Sequence, residues 1–145
     1  TITTIPASCF MNCSALTSLT LPSTITSISG GTPTANTSAG TITFSSSDSN
    51  ASYPAFYGSG LTSLDLSNIT SYQTTSGSTL ALPDTLFYNC ASLTSITLKA
   101  GTTSIGIGTF AGTTKLTSIT TGTSTRADDG YTAKADVTTV KQFAF

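Results

Sequence analysis

The 145 residues have the size of one domain, and their charge nearly cancels: five Lys and Arg against six Asp leave −1, with no His, no Trp and no Glu. That balance gives the chain no electrostatic pull toward nucleic acid or an anionic membrane surface, and no apolar run approaches the roughly 18 residues of a membrane span. Ser and Thr make up roughly two-fifths of the chain, far above ordinary usage, yet Ile, Leu, Val and Phe recur in register, which points to packing and not to disorder.

In chain order, the opening ITTIPASCF places Ile2, Ile5 and Phe10 before the first strand pattern, SALTSLTLPS, with Leu16, Leu19 and Leu21. GTITF follows, with Ile42 and Phe44. Phe56 then precedes SGLTSLDLSN (Leu61, Leu64, Leu66), Phe87 precedes ASLTSITLKA (Leu93, Ile96, Leu98), and Phe110 precedes TKLTSITTGT (Leu116, Ile119, Thr121). The closing VTTVKQFAF repeats the opening, with Val137, Val140 and Phe145 over Ile2, Ile5 and Phe10. Each strand pattern is L-x-x-L-x-L, whose alternation turns Leu19 and Leu21 one way and Ser18 and Thr20 the other.

The spacing sets the period. Phe87 and Phe110 are 23 residues apart, inside the range of leucine-rich repeats. Phe10 and Phe56 are 46 apart, two periods, which predicts a degenerate repeat between them: Ile42 and Phe44 lie 23 residues after Leu19 and Leu21, with Pro33 where the Phe falls. The longer gaps to Phe87 and Phe145 predict inserted loops near 73–81 and 122–136. One repeat cannot bury its own apolar set, so neighbours must stack. No window keeps helical periodicity for three turns, and Gly and Thr interrupt throughout, so long helices are excluded.

F-M-N-C-S-A-L-T-S-L-T-L-P from Phe10 and F-Y-N-C-A-S-L-T-S-I-T-L from Phe87 resemble the BspA-like leucine-rich repeats, as does V-x-x-V-x-x-x-A-F ending at Phe145. The likeness covers nearly the whole chain. It departs at Pro33, at Ser59 and Thr113 where Cys is usual, and in the near-absence of charge. It implies a mainly-β repeat solenoid of about five coils, with a short helical turn at each Phe-x-x-Cys, and a surface-exposed, adhesive role.

The predicted outward row comprises Ser18, Thr20, Thr41, Thr43, Ser63, Asp65, Ser95, Thr97, Ser118 and Thr120. It is a hydroxyl ladder, broken by one carboxylate, and is the candidate partner face for protein or glycan. Its bland reading is a wet sheet face built of β-favouring polar residues. Asp65 and the Ser positions break the regularity that ice binding would require. The second insertion, with Arg126, Asp128, Asp129, Tyr131 and Lys134, is the candidate contact loop. Ile2, Ile5, Phe10, Val137, Val140 and Phe145 belong to ordinary repeat sequence with no polar cap visible, and the chain starts at Thr1 without a signal peptide. It therefore reads as part of a longer product whose ends are covered by more chain or by a neighbouring molecule.

Other chemistry finds little support. Gly106-Ile-Gly108-Thr-Phe-Ala111 matches a dinucleotide fingerprint in form, but a strand follows where that motif needs a helix N-terminus. Without His or Glu, a triad or paired-carboxylate site must be built from Asp and Lys; Asp128 and Asp129 are neighbours in a loop with nothing to raise a pKa, and no enzyme is expected. Asp128 and Asp129 alone do not build a calcium site. Cys9, Cys13 and Cys90 are too few for a metal. Cys13 and Cys90 share a repeat position and read as buried core thiols; three steps of about 4.8 Å separate them, too far for a disulfide. Asn12, Asn36, Asn50 and Asn68 begin glycosylation sequons, which in so Ser/Thr-rich a chain arise readily by chance. The leading expectation is an extracellular or cell-surface recognition module without a cofactor. The alternative is a structural subunit of a surface filament or layer, copies joined end to end.

Overall fold

A computed structural model describes residues 1–30, 34–36, 41–44, 53–73, 81–121, 139–141 and 143–145. Among them are eleven short strands and no helix: β1 (Thr4–Ile5), β2 (Ser27–Ser29), β3 (Thr34–Asn36), β4 (Thr41–Thr43), β5 (Ser63–Asp65), β6 (Ser71–Gln73), β7 (Ala81–Leu82), β8 (Ser95–Leu98), β9 (Ser104–Ile105), β10 (Ser118–Thr121) and β11 (Thr139–Val140). Three parallel ladders run β5–β8–β10, β1–β2–β6 and β7–β9–β11. Each follows from the repeat, because identical patterns one rung apart lie in parallel and in register.

The front ladder carries the Leu pattern. Leu64, Ile96 and Ile119 pair in register, as do Ser63, Ser95 and Ser118. Leu64 and Ile96 are buried, while their strand neighbours Ser63 and Asp65 face water. Residues 16–21 join the same side through Thr62 N–H donating to Thr17 C=O at 3.0 Å. Leu19 and Ile119, expected in the buried column, are only half-buried, since they lie on the outer rungs of this side.

The opposite side is organised by Phe. The rings of Phe10, Phe56, Phe87, Phe110 and Phe145 stack in that order at 5.4–5.6 Å between centroids, the first four within 9° of parallel. Each such contact contributes about 0.5–1.5 kcal/mol beyond the area it buries.

Around each Phe the chain makes successive i→i−3 turns, such as Met11 N–H to Ser8 C=O and Cys13 N–H to Phe10 C=O, both 3.2 Å. The sequence predicts one helical turn here. The structure instead has left-handed residues two before the Phe (Ser8, Thr85, Gly108, Phe143) and two after it (Asn12, Gly58, Asn89, Gly112). These reversals aim every second N–H along the stack, so that Phe10, Phe87 and Phe110 donate to Ala55, Thr109 and Ala144 of the next rung at 2.7–2.9 Å. The conformation explains why Asn or Gly follows each of these Phe by two. Space selects Gly at Gly58 and Gly112, where a Cβ would overlap the amides of Asn12 and Asn89.

The stacking of Phe10 directly on Phe56 corrects the reading of a hidden repeat. Ile5 pairs with Ile28, but Ile28 and Phe56 stand 28 residues apart where Ile5 and Phe10 stand five apart. The excess is one period, so an insertion imitates a repeat in the spacing. Its described part is an antiparallel hairpin of β3 and β4, with Ala35 opposite Ile42. Thr41 and Thr43 therefore belong to that hairpin and not to the front row. Ile42 and Phe44 lie outside the Phe column: Ile42 fills the space over Gly108, and Phe44 packs on Tyr53, Tyr57 and Tyr88 at 4.9–5.6 Å.

The shorter insertion separates β6, which pairs back to β2, from β7, which pairs forward to β9. Tyr72 of β6 is buried, its hydroxyl 3.1 Å from Thr102 Oγ1 and accepting Lys99 N–H at 3.0 Å. Burial pushes its phenol pKa up despite those bonds.

The cysteines divide by rung. Cys90 is buried, as expected. Its Sγ–H donates to Phe56 C=O at 2.9 Å, and burial raises its pKa, so it stays a thiol. Cys13 is exposed, contrary to expectation, because among the described residues its rung is covered on one side only. Two rungs separate the pair, not three, and all three cysteines are free. Ile5 is likewise buried and Phe10 half-buried, whereas Ile2 and Phe145 are 76% and 66% exposed.

Ile96→Ala, in the middle of the front ladder, is expected to destabilise the fold by about 2–5 kcal/mol. Thr97→Ser beside it should cost on the order of a few tenths of a kcal/mol. Thermal melts of the two variants check the assignment of strand faces, and equal shifts would contradict it.

Candidate binding face

Each front strand begins with Leu-Thr-Ser, and the three residues have different tasks. Leu turns inward. The Thr is committed to the backbone: Thr62, Thr94 and Thr117 each donate both N–H and Oγ1–H to the carbonyl of the Thr one rung back, at 2.8–3.2 Å. Thr26 and Thr70 repeat this double donation to Thr3 and Thr26 on another side of the rung. The recurring L-T-S is the sequence signal of these clamps. A Thr hydroxyl spent in this way has no proton left to donate to a ligand.

The Ser is different. Ser18, Ser63 and Ser118 are exposed and Ser95 half-buried, and their hydroxyls make no hydrogen bond to the described residues. Two positions on, Asp65, Thr97 and Thr120 pair in register, and Thr20 occupies the same position in the first rung. Thr120 Oγ1 donates to Thr97 Oγ1 at 3.2 Å. The outcome is two solvent-facing rows, rung spacing about 4.8 Å, of which eight expected members are in place: Ser18, Thr20, Ser63, Asp65, Ser95, Thr97, Ser118 and Thr120.

The rows carry almost no field. Asp65 accepts the Ser67 N–H at 2.8 Å, so its carboxylate closes its own turn. Lys99, just beyond β8, donates to Ala100 C=O. The ion pair between Lys141 and Asp84, 3.8 Å, lies near β11 and β7, away from these rows, and Asp84 also accepts Ile107 N–H at 2.7 Å. Arg126, Asp128, Asp129, Tyr131 and Lys134 lie outside the described residues, as does Val137. Among the described residues no three His, Cys, Asp or Glu side chains come together, and no helix is long and apolar enough to cross a membrane.

The turn side bears an aromatic cluster that the sequence reading did not assemble. Tyr57 and Tyr88 stack at 5.6 Å and 7°, one residue after their Phe, and Phe44 meets both rings edge-on. The ring faces are thus taken up by one another. The cluster anchors the inserted hairpin.

No curated protein and no solved structure matches the chain. The family model for the BspA type leucine-rich repeat region does, in six copies over residues 3–125 and 80–145. With mainly-β parallel ladders at the same period, that match establishes that the chain belongs to the BspA-type leucine-rich-repeat family.

Proposed function

We propose that this chain is an extracellular or cell-surface recognition module, a solenoid of about five coils that binds protein or glycan through the front rows, with the segment containing Arg126, Asp128, Asp129, Tyr131 and Lys134 as a second contact. Leucine-rich-repeat modules in general mediate binding and are not enzymes, and BspA-type proteins are typically surface-associated. The observation that carries the reading is the Ser row: solvent-facing hydroxyls in register, flanked by Thr residues already spent on the backbone. Hydroxyls both donate and accept, which suits peptide groups and sugars alike. The near-absence of charge predicts binding that varies little with ionic strength.

Replacing Ser63, Ser95 and Ser118 together by Arg puts three bulky cations on the face without touching the core. The variant is expected to keep its melting temperature and to lose at least tenfold in affinity on an array of neutral glycans and extracellular-matrix proteins. Unchanged binding by the folded variant would move the site elsewhere on the molecule.

A further inference from the structure

A stack of repeats is held by contacts between neighbouring rungs, so one rung can open without those beyond its neighbour. The inserted hairpin departs from that pattern. By sequence it belongs to the rung of Phe56, lying between β2 and that Phe. The Phe44 ring packs on Tyr53 and Tyr57 of this rung at 4.9 and 5.4 Å, and on Tyr88 of the next rung at 5.6 Å. Ile42 reaches one rung further, where its Cδ1 methyl occupies the space beside Gly108. The two side chains are two residues apart, a step of about 6.6 Å along a strand against about 4.8 Å between rungs. One such step is long enough to pass from a rung to the next.

The receiving rung is fitted to this contact. Gly108 is left-handed, as are Ser8, Thr85 and Phe143 at the same position two residues before their Phe. Three side chains occupy that backbone conformation, so the dihedral angle alone does not demand glycine. Space does, because a Cβ on residue 108 would overlap Ile42 Cδ1. The rungs touched are those of Phe56, Phe87 and Phe110, whose front strands β5, β8 and β10 carry Ser63, Ser95 and Ser118 in register.

We propose that the insertion is a clamp. It fastens these three rungs from the turn side and makes them open as one unit, so that the three paired strands of the front ladder separate together or not at all. Phe44 bridges the junction between the rungs of Phe56 and Phe87, and Ile42 carries the bridge over the junction to Phe110. These contacts do not cross the junction between the rungs of Phe10 and Phe56. The front ladder supplies a reporter for each junction on the side opposite the hairpin. Thr62 N–H donates to Thr17 C=O at 3.0 Å, Thr94 N–H to Thr62 C=O at 2.9 Å, and Thr117 N–H to Thr94 C=O at 2.9 Å. Amide hydrogen exchange reads the opening of each bond separately.

The test compares the full 145-residue chain with its Ile42→Ala and Phe44→Ala variants by native-state hydrogen exchange at single-amide resolution. Ile42→Ala should speed exchange at Thr117 severalfold, and Phe44→Ala should do so at both Thr94 and Thr117, with Thr62 unchanged in each. Faster exchange confined to the hairpin's own amides would mean that the insertion only rests on the stack. An equal rise at Thr62 would mean that the whole chain opens as one unit without a clamp. Either result overturns the proposal. Gly108→Ser supplies an independent readout, since Ser8 already holds a serine in that backbone conformation. It should speed Thr117 about as much as Ile42→Ala does, and combining the two should add little, as for partners in one contact. Fully additive effects would show that the Gly108 contact does not carry the bridge and would overturn the clamp.

Discussion

Each rung of this chain must set its backbone N–H and C=O groups against those of the rung beside it, because a buried amide without a partner costs about 1–3 kcal/mol. The constraint acts on all sides of the rung at once. The front and the two flanking ladders meet it with parallel strands, and the turn side meets it with left-handed residues that redirect alternate N–H groups along the stack. Among the described residues no buried side-chain N or O is left without a partner. The side-chain choices follow from the same constraint. Phe stacks on Phe, Thr doubles the hydrogen bond at the strand entry, and Asn or Gly takes the left-handed position.

That constraint separates the residues that hold the stack from those free to act. The Leu and Phe columns, the clamped Thr residues and Cys90 are committed inward or to neighbouring rungs. The Ser row and its Thr/Asp companion are what the front offers to a partner. In a face assembled in this way β8 is held between β5 and β10, and the face is almost uncharged. Recognition there depends on shape and hydroxyl pairing more than on steering by charge.

Much of this is legible from spacing alone. The Phe and Leu positions, their inward and outward alternation and the members of the front row at β5, β8 and β10 follow from a period of 23 and the two-residue repeat of a strand. Two features misled the reading for physical reasons. The insertion before Phe56 is one period long, and its Ile42 and Phe44 fall in phase with Leu19 and Leu21, so spacing cannot distinguish it from a repeat; only the pairing of Ile5 with Ile28 and of Phe10 with Phe56 does. The Phe-x-x-Cys stretch has the i→i−3 bonds of a helical turn but the dihedral signs of a chain reversal, and the Asn or Gly at its second residue was the cue. The double role of Thr escaped notice because composition and alternation mark it only as a strand-favouring polar residue.

The direct measurement of the account is the neighbour of Phe10. In a sample with isotopically labelled Phe, ring-to-ring nuclear Overhauser contacts should link Phe10 to Phe56, Phe56 to Phe87, Phe87 to Phe110 and Phe110 to Phe145, with Phe44 contacting tyrosines only. A Phe10 contact to Phe44 in place of Phe56 would restore the extra repeat, break the stacking order proposed for the chain, and contradict the account at its foundation.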